Sequence, residues 1–208
     1  MNNHGTIIYI VDDDVSVCRA LSLLLKSHGF KVQTFMRAAD FLVFKRPKLS
    51  SCLILDIRLP GINGLALQEV MKLRGISIPT IFITGHGDIP MSVRAMKAGA
   101  VDFLPKPLTE KKLLSAISPA ILKSKAQNKE QAEISKIKRR IKTLSPRELE
   151  VFRLVAKGML SKQIARKRET ALQTIKVHRS RVMQKMQAKT VTELIRFAQK
   201  AGITSSRH

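Results

Sequence analysis

The sequence contains few acidic residues, few cysteines and few of the largest aromatic residues. It has 15 Asp and Glu against 38 Lys and Arg, two cysteines, one tyrosine and no tryptophan in 208 residues. Cys18 and Cys52 lie in apolar segments without metal-ligand spacing, so we expect both to be reduced core residues of a cytoplasmic protein. No apolar run approaches the roughly 20 residues that a membrane-spanning helix needs, and residues 1–5 lack the basic start of a signal peptide.

The positive charge is concentrated in the C-terminal part of the chain. Residues 1–122 carry 15 Lys and Arg against 9 Asp and Glu, whereas residues 123–208 carry 23 against 6. The formal charges of the two parts are therefore +6 and +17. Such a basic region is typical of a protein that binds a polyanion such as nucleic acid. A basic surface that serves only solubility, or one that faces an acidic membrane, is the alternative.

The first 123 residues alternate short apolar runs with segments of helical spacing. The predicted strands are Thr6–Val11, Lys31–Phe35, Cys52–Leu55, Pro79–Thr84 and Ala100–Leu104. These runs are too short for helices and are bounded by turn residues. Between them lie helix patterns, such as the one that places Val17, Leu21 and Leu24 on one stripe. This alternation predicts an α/β fold with a parallel sheet covered on both faces.

A basic segment separates this unit from a C-terminal region without strand patterns. We expect residues 124–141 to form a partly helical linker anchored by Ile134, Ile137 and Ile141, and Pro119 to kink or stop the helix before it. Residues 142–208 contain four helix patterns. They begin at Ser145-Pro146-Arg147-Glu148, at Ser161, at about Leu172 (this one runs to Met186) and at Thr190-Val191-Thr192-Glu193. These patterns predict a small all-α domain.

Charged and polar residues follow four of the predicted strands where each strand ends. They are Asp12, Asp13 and Asp14 after the first strand, Asp56 after the third, Thr84 at the end of the fourth and Lys106 after the fifth. In an open parallel sheet these ends meet at one edge, where ligands bind. Carboxylates suit Mg²⁺, and one of them can attack a phosphoryl group while Lys106 balances its charge and Thr84 hydrogen-bonds its oxygen. The alternative is that the consecutive aspartates form a solvated turn before a helix.

Four stretches of the N-terminal unit carry a resemblance to a known family. The segments "IVDDD", "CLILDIRLPGINGL", "IFITGHGD" and "AMKAGAVDFLPKP" occur in this order. They resemble the receiver domain of two-component response regulators over about Thr6–Lys123. The resemblance implies a flavodoxin-like, doubly wound fold with five parallel strands, Mg²⁺ as cofactor, a histidine kinase as partner and a cis Lys106–Pro107 bond.

The same resemblance implies roles for individual residues. The implied metal ligands are Asp12, Asp13, Asp56 and the backbone carbonyl of Arg58, with Asp14 as an outer neighbour. The implied phosphoacceptor is Asp56, the switch residues are Thr84 and Phe103, and the family's invariant lysine is Lys106. Taken alone, Phe103 is more simply a core aromatic residue. We expect His86 and Asp88 in "GHGD" to shape a loop rather than to act in the chemistry.

The third helix of the C-terminal region has two different faces. Its inward stripe is predicted to contain Leu172, Ile175, Val182, Met183 and Met186. The other side mixes polar, apolar and basic residues, which suits a DNA groove better than bulk water. The segments "LSPRELEVFRLVAKGMLSKQIA" and "TIKVHRSRVMQKM" resemble the LuxR-type helix-turn-helix, and the whole chain resembles the FixJ/TodT-like subclass of response regulators. By that resemblance the base-facing residues are Lys176, Val177 and Ser180, and the backbone-contacting residues are Thr174, His178 and Arg181.

One stretch departs from the helix-turn-helix pattern. Where the family has a core Leu, a Gly, an Ile and a capping Ser, this chain has Arg168, Glu169, Thr170 and Ala171. Loss of the cap is expected to cost about 0.5–2 kcal/mol. Thr170 followed three residues later by Gln173 predicts a replacement capping box one residue earlier.

These observations lead to one functional interpretation and two alternatives. The interpretation is a regulator, not an enzyme, in which Mg²⁺-dependent phosphorylation of Asp56 by a histidine kinase gates DNA binding and transcription control, with a homodimer as the phosphorylated state. One alternative is a constitutive architectural DNA-binding protein whose receiver serves only for dimerisation. The other is a Mg²⁺-dependent phosphatase, which the chain disfavours because Arg58 occupies the position where such enzymes often place a second acid.

Overall fold

The N-terminal unit is built on a parallel sheet of five strands in the order β2-β1-β3-β4-β5. In this computed structural model, which describes residues 5–85 and 89–203, the chain divides into two units, Met1–Asn128 and Lys129–His208. The strands are β1 (Thr6–Val11), β2 (Lys31–Phe35), β3 (Ser50–Asp56), β4 (Thr80–Thr84) and β5 (Asp102–Pro105). Strand order reverses between β1 and β3, so a crevice opens at their carboxyl ends. The predicted flavodoxin-like fold is confirmed.

Helices cover both faces of this sheet and create two apolar layers. The helices are α1 (Val15–Ser27), α2 (Ala38–Val43), α3 (Gly64–Leu73), α4 (Ile89–Lys97) and α5 (Glu110–Ile141). Because successive side chains of a strand point to opposite faces, Ile8 and Ile10 of β1 pack with α1 and α5, whereas Tyr9 and Val11 pack with α2 and α3. Apolar side chains of the helices therefore cover both faces of the sheet and exclude water, as is typical of a parallel sheet.

The two cysteines lie inside this unit as predicted. Cys18 and Cys52 are both free and buried. Burial, together with the nearby Asp12 charge, raises the pKa of the Cys18 thiol to about 11. The thiol is therefore protonated at neutral pH and donates a hydrogen bond to the Asp12 carbonyl oxygen at 3.4 Å. Its role is packing beneath the acidic edge of the sheet.

Helix α5 continues through Pro119, so the early stop is wrong, whereas the kink that was expected as the other outcome stays a prediction. Proline removes one helical hydrogen bond, but Ala116, Ile117 and Ala120 around it are buried in the core and hold the helix in place. Residues 124–141, predicted to be a partly helical linker, lie entirely within α5, and Ile137 is buried in the C-terminal core. The treatment of 124–141 as a separate linker between 1–123 and 142–208 stays a prediction.

In the described part of the C-terminal unit, up to residue 203, four helices follow α5. They are α6 (Pro146–Ala156), α7 (Ser161–Lys167), α8 (Leu172–Met186) and α9 (Val191–Lys200). The predicted capping box of α6 is confirmed, since the Ser145 hydroxyl accepts from the Glu148 N–H and the Glu148 carboxylate accepts from the Ser145 N–H. Thr190 caps α9 by accepting from the Glu193 N–H at 3.1 Å. Within residues 5–85 and 89–203, no helix has the length and apolar character needed to cross a bilayer.

Candidate metal centre and nucleic-acid interface

Three carboxylates from two strands meet at the carboxyl edge of the sheet. The parallel register pairs Val11 with Leu55, which places Asp12 beside Asp56. One oxygen each from Asp12, Asp13 and Asp56 lies within 4.8 Å of the others. Asp12 and Asp56 are buried, whereas Asp13 is exposed. Hard oxygens at this spacing, partly open to water, fit the ligand preference of Mg²⁺.

Lys106 supplies the positive charge of this cluster. Its ammonium nitrogen lies 2.6 Å from Asp12 Oδ2 and 3.3 Å from Asp56 Oδ1. Burial alone would lower the pKa of Lys106, but the hydrogen bond and charge of Asp12, joined by Asp56, outweigh burial and raise that pKa. The ammonium is therefore held charged between two acids that would otherwise repel each other.

The Asp56 carboxylate is held by contacts on both of its oxygens. Besides the contact of Oδ1 with Lys106, Oδ2 accepts a hydrogen bond from the Arg58 backbone N–H at 3.1 Å. Burial raises the pKa of Asp56; the Lys106 charge opposes this rise and the Asp12 charge adds to it. Asp56 is thus a fixed carboxylate with a cation at one oxygen and a backbone N–H at the other. Arg58 contributes a backbone N–H here; its carbonyl as a metal ligand, the role that the resemblance implies, stays a prediction.

The three consecutive aspartates have three different environments. Asp12 Oδ1 accepts from the Asp14 N–H at 2.9 Å, which orients the buried carboxylate. The Asp14 side chain is the N-cap of α1, accepting from Ser16 N at 2.7 Å and Val17 N at 3.3 Å. The alternative of a helix-capping turn therefore holds for Asp14, whereas the metal-site interpretation fits Asp12 and Asp13.

Gly64 is a positioning residue that the sequence patterns did not single out. The Gly64 N–H donates to the Ile57 carbonyl oxygen at 2.9 Å, so α3 begins directly against the end of β3. A Cβ at this position would lie 2.4 Å from the Asp56 carbonyl oxygen. The sequence signal for this role is a glycine at the first position of a helix, where no turn or positive φ requires one. Glycine is required because the backbone of the site has no room to move.

Thr84 and Phe103 lie on neighbouring strands beside the acidic cluster. Thr84 is fully buried at the end of β4, and its carbonyl oxygen accepts from the Lys106 N–H at 2.7 Å. Phe103 pairs with Phe82 in the sheet and packs partly buried against the core. The Lys106–Pro107 bond is cis, as implied. The roles of Thr84 and Phe103 as switch residues stay predictions.

An open cleft of about 470 Å³ adjoins the cluster. Its walls include Asp13, Arg58, Asn63, Met91 and Arg94. The cleft leaves space for water and for a phosphoryl group next to the exposed acid. His86 and Asp88, the predicted loop-shaping pair, lie outside the described residues.

Helix α8 presents the predicted two faces. Ile175, Val182 and Met186 are buried, with Leu172 and Met183 partly buried beside them. The exposed residues include Thr174, Lys176, Val177, Ser180 and Arg181. Val177 is 40% exposed, so its side chain is accessible for contact with a base methyl group. The helix therefore offers polar, apolar and basic groups on one solvent-facing side.

His178 is more enclosed than the other predicted DNA-contacting residues. It is half-buried, and within the described ranges its Nδ1 atom is buried and has no hydrogen-bond partner. A phosphate contact by His178 must therefore use Nε2. Its neighbour Arg179 points to the preceding helix instead, donating to the Ser161 hydroxyl at 3.2 Å.

The predicted Thr170 cap of α8 is wrong. Thr170 instead completes the end of α7: its N–H donates to the Ala165 carbonyl at 3.1 Å, and the Glu169 N–H donates to the Arg166 carbonyl at 3.3 Å. Glu169 has a positive φ of 48°, the left-handed conformation of this helix-ending motif. Because Thr170 is used there, α8 begins one residue later, with Ala171 as an N-cap that has no side-chain hydrogen bond.

Arg168, which also departs from the family pattern, ties this turn to α6. Its guanidinium lies 2.8 Å from Glu150, which also lies 3.7 Å from Arg147. Ile164 and Ala165 remain buried in the core just before the turn. The Arg168–Glu150 ion pair thus stands where the family pattern has an apolar contact. Glu169, in the left-handed backbone conformation, stands where that pattern has glycine.

Comparisons with known proteins agree with both halves of this arrangement. The response regulator receiver domain model matches residues 8–118, and the model of bacterial regulatory proteins of the luxR family matches residues 142–198. Nodulation protein W of Bradyrhizobium diazoefficiens is 44% identical over 200 residues, covering 96% of this chain and 88% of the relative. Response regulator protein TodT of Pseudomonas putida is 42% identical over the same length and with the same coverage.

Solved structures show the same two-part organisation. The response regulator StyR has a TM-score of 0.78 at 41% identity, and the match covers 94% of this chain and 99% of that one. Full-length FixJ from B. japonicum has a TM-score of 0.54 at 39% identity, covering 96% and 98% of the two chains. Both matches extend over the two units.

Proposed function

Because this chain belongs to the two-component response regulators, with a receiver domain and a LuxR-type DNA-binding domain, we propose that Asp56 is its phosphoacceptor. The observation that carries this assignment is the convergence of Asp12, Asp13 and Asp56 within 4.8 Å, with Lys106 bonded to two of them. Mg²⁺ bound by these carboxylates and by the Arg58 carbonyl would offset the charge of an incoming phosphoryl group. We expect this chemistry in the cytoplasm, where the DNA is found.

The reaction is a transfer of the phosphoryl group from a histidine kinase to Asp56. A carboxylate oxygen of Asp56 attacks phosphorus, the bond from phosphorus to the kinase histidine nitrogen breaks, and an acyl phosphate forms. Lys106 stabilises the added charge from its position 3.3 Å from Asp56 Oδ1. Asp12 keeps Lys106 in place through the 2.6 Å contact.

Phosphorylation then changes the surface of the receiver. Thr84 hydrogen-bonds the phosphoryl group, and Phe103, which is only partly buried, changes its packing in response. The altered surface supports a homodimer, whose two helix-turn-helix domains bind a two-fold related DNA site. In that complex Lys176, Val177 and Ser180 face the bases, while Thr174, Arg181 and Nε2 of His178 contact the backbone.

A labelling experiment tests the phosphoacceptor. Full-length protein is incubated with a small phosphodonor with and without Mg²⁺, and the added mass is located by intact and peptide mass spectrometry. The wild type is expected to be labelled on Asp56 only with Mg²⁺, and Asp56→Asn not at all. Asp14→Asn is the matched control, since Asp14 caps α1 and should leave labelling intact. Equal labelling of wild type and Asp56→Asn would overturn the assignment.

DNA binding tests the gating and the architectural alternative together. Affinity for the specific site is expected to rise on phosphorylation in the wild type and to stay at the basal level in Asp56→Asn. Lys176→Ala is expected to reduce the ratio of specific to random affinity. A constitutive architectural protein would show equal affinity with and without the phosphodonor and little sequence preference.

A further inference from the structure

The C-terminal end of α5 carries a face of exposed cations without acidic residues. Lys136, Lys138, Arg139 and Lys142 are all exposed, while Ile137 between them is 1% exposed and packs into the core of the second unit. With 3.6 residues per turn, Arg139 and Lys142 lie on the side of the helix opposite Ile137, and Lys136 and Lys138 flank them. The remaining residues of this side, Gln131, Ala132 and Ser135, are uncharged.

The acidic residues of this part of α5 do not neutralise that face. Glu133 lies on the inner side of the helix and pairs with Lys200 of α9 at 2.5 Å. Among residues 5–85 and 89–203, no acidic side chain forms an ion pair with Lys136, Lys138, Arg139 or Lys142. Four neighbouring charges of one sign repel each other, so an external anion would stabilise this surface.

The same end of α5 is attached to the C-terminal end of α8. Arg140 donates to the Met186 carbonyl oxygen at 3.1 Å and also to the Gln187 side chain. Lys185 of α8 donates in turn to the Thr143 carbonyl oxygen at 3.2 Å, just after α5 ends. The end of α5 that carries the cationic face is therefore fixed to the C-terminal end of the helix that carries the predicted base contacts.

We propose that Lys136, Lys138, Arg139 and Lys142 form a second contact surface of this chain for DNA, directed at the phosphate backbone outside the groove that α8 occupies. The inference rests on the DNA-binding function and extends it beyond the helix-turn-helix. DNA is the partner that fits, because this end of α5 is fixed to the end of α8 and because flexible ammonium groups and a guanidinium without base-directed neighbours recognise phosphates rather than sequence.

The size of the face sets the size of the effect. Residues 136–142 span about 9 Å at 1.5 Å per residue, enough to reach one or two phosphates. Each phosphate contact contributes a slope of about −0.9 in a plot of log affinity against log salt concentration. Removal of Arg139 and Lys142 is therefore expected to reduce the magnitude of this slope by about 1–2, to the same extent for specific and random DNA.

The test compares two double variants of the full-length, phosphodonor-treated protein. Arg139→Gln/Lys142→Gln removes two charges from the proposed surface. Lys111→Gln/Lys112→Gln removes two exposed charges from the first turn of the same helix, within the receiver. Fluorescence anisotropy with specific and random duplexes is recorded over a range of salt concentrations, and circular dichroism verifies that both variants are folded.

The proposal expects a reduced slope only in the first variant, with an unchanged ratio of specific to random affinity. Equal slopes for wild type and both variants would overturn it, while specific binding itself would remain. A changed ratio would also overturn it, because base readout and not phosphate contact would then be involved. A failure of the DNA-binding function looks different, since wild type and both variants would then all fail to prefer the specific duplex.

Discussion

Replacing Glu169 by glycine is expected to stabilise the helix-turn-helix unit. Glu169 adopts a φ of 48° at the end of α7, a conformation that costs a non-glycine residue roughly 1–2 kcal/mol. Glycine removes this cost. Its greater conformational freedom in the unfolded chain, however, lowers the free energy of unfolding by about 0.5–1 kcal/mol. The net stabilisation is about 0.5–1 kcal/mol, which raises the melting temperature of a unit of this size by roughly 2–8 °C.

Differential scanning calorimetry of the full-length protein measures this change, and hydrogen exchange of the α7 and α8 amides assigns it to the turn. Gln187→Gly is the informative control. Gln187 also has a positive φ, of 51°, but its side chain accepts a hydrogen bond from Arg140. The relief of the left-handed backbone conformation at Gln187 should be offset by the loss of this hydrogen bond. If Glu169→Gly left the melting temperature unchanged or lowered it, the argument that the turn is strained would be refuted.

Two further predictions concern single contacts. Gly64→Ala should destabilise the receiver by about 1–3 kcal/mol and reduce labelling of Asp56, because the new Cβ would lie 2.4 Å from the Asp56 carbonyl oxygen. Gly5→Ala is the control: the space around its added atom is open, so it should change neither the stability nor the labelling. The hydrogen bond from Lys185 lowers the pKa of Glu148 below its ordinary value of 4.5. Folding therefore favours the ionised form of Glu148. The free energy of unfolding of the wild type should exceed that of Glu148→Gln at neutral pH, and this difference should disappear as the pH falls below about 4.5. A difference that grows on acidification would contradict the prediction.

The edge that holds the acidic cluster could be predicted because it follows from topology. Parallel strands place their carboxyl ends at the same edge of the sheet, so Asp12, Asp56 and Lys106 are expected at one site although they are far apart in the sequence. The inward stripe of α8 followed in the same way from helical periodicity. In both cases the position of each residue follows from the regular geometry of the sheet or helix to which it belongs.

The errors have a common physical origin. Thr170 was expected to cap α8 because Thr and Gln were correctly spaced, but the preceding helix uses the Thr170 N–H for its own end. Pro119 does not stop α5, because the surrounding residues are buried in the core and outweigh one lost hydrogen bond. Gly64 was missed because its requirement arises from a strand eight residues earlier. Competition between neighbouring elements is not visible in a local pattern.

The attachments at the end of α8 limit how this protein can be given a new DNA target. Lys185 is bonded to Glu148 at 2.6 Å as well as to the Thr143 carbonyl, and Met186 carries the Arg140 contact. Specificity grafts from other regulators should therefore exchange residues 173–184 and retain the last two residues of the helix. A graft that also replaced Lys185 would leave the Glu148 carboxylate buried without its cation, so the engineered protein would be destabilised whichever operator it was designed to bind.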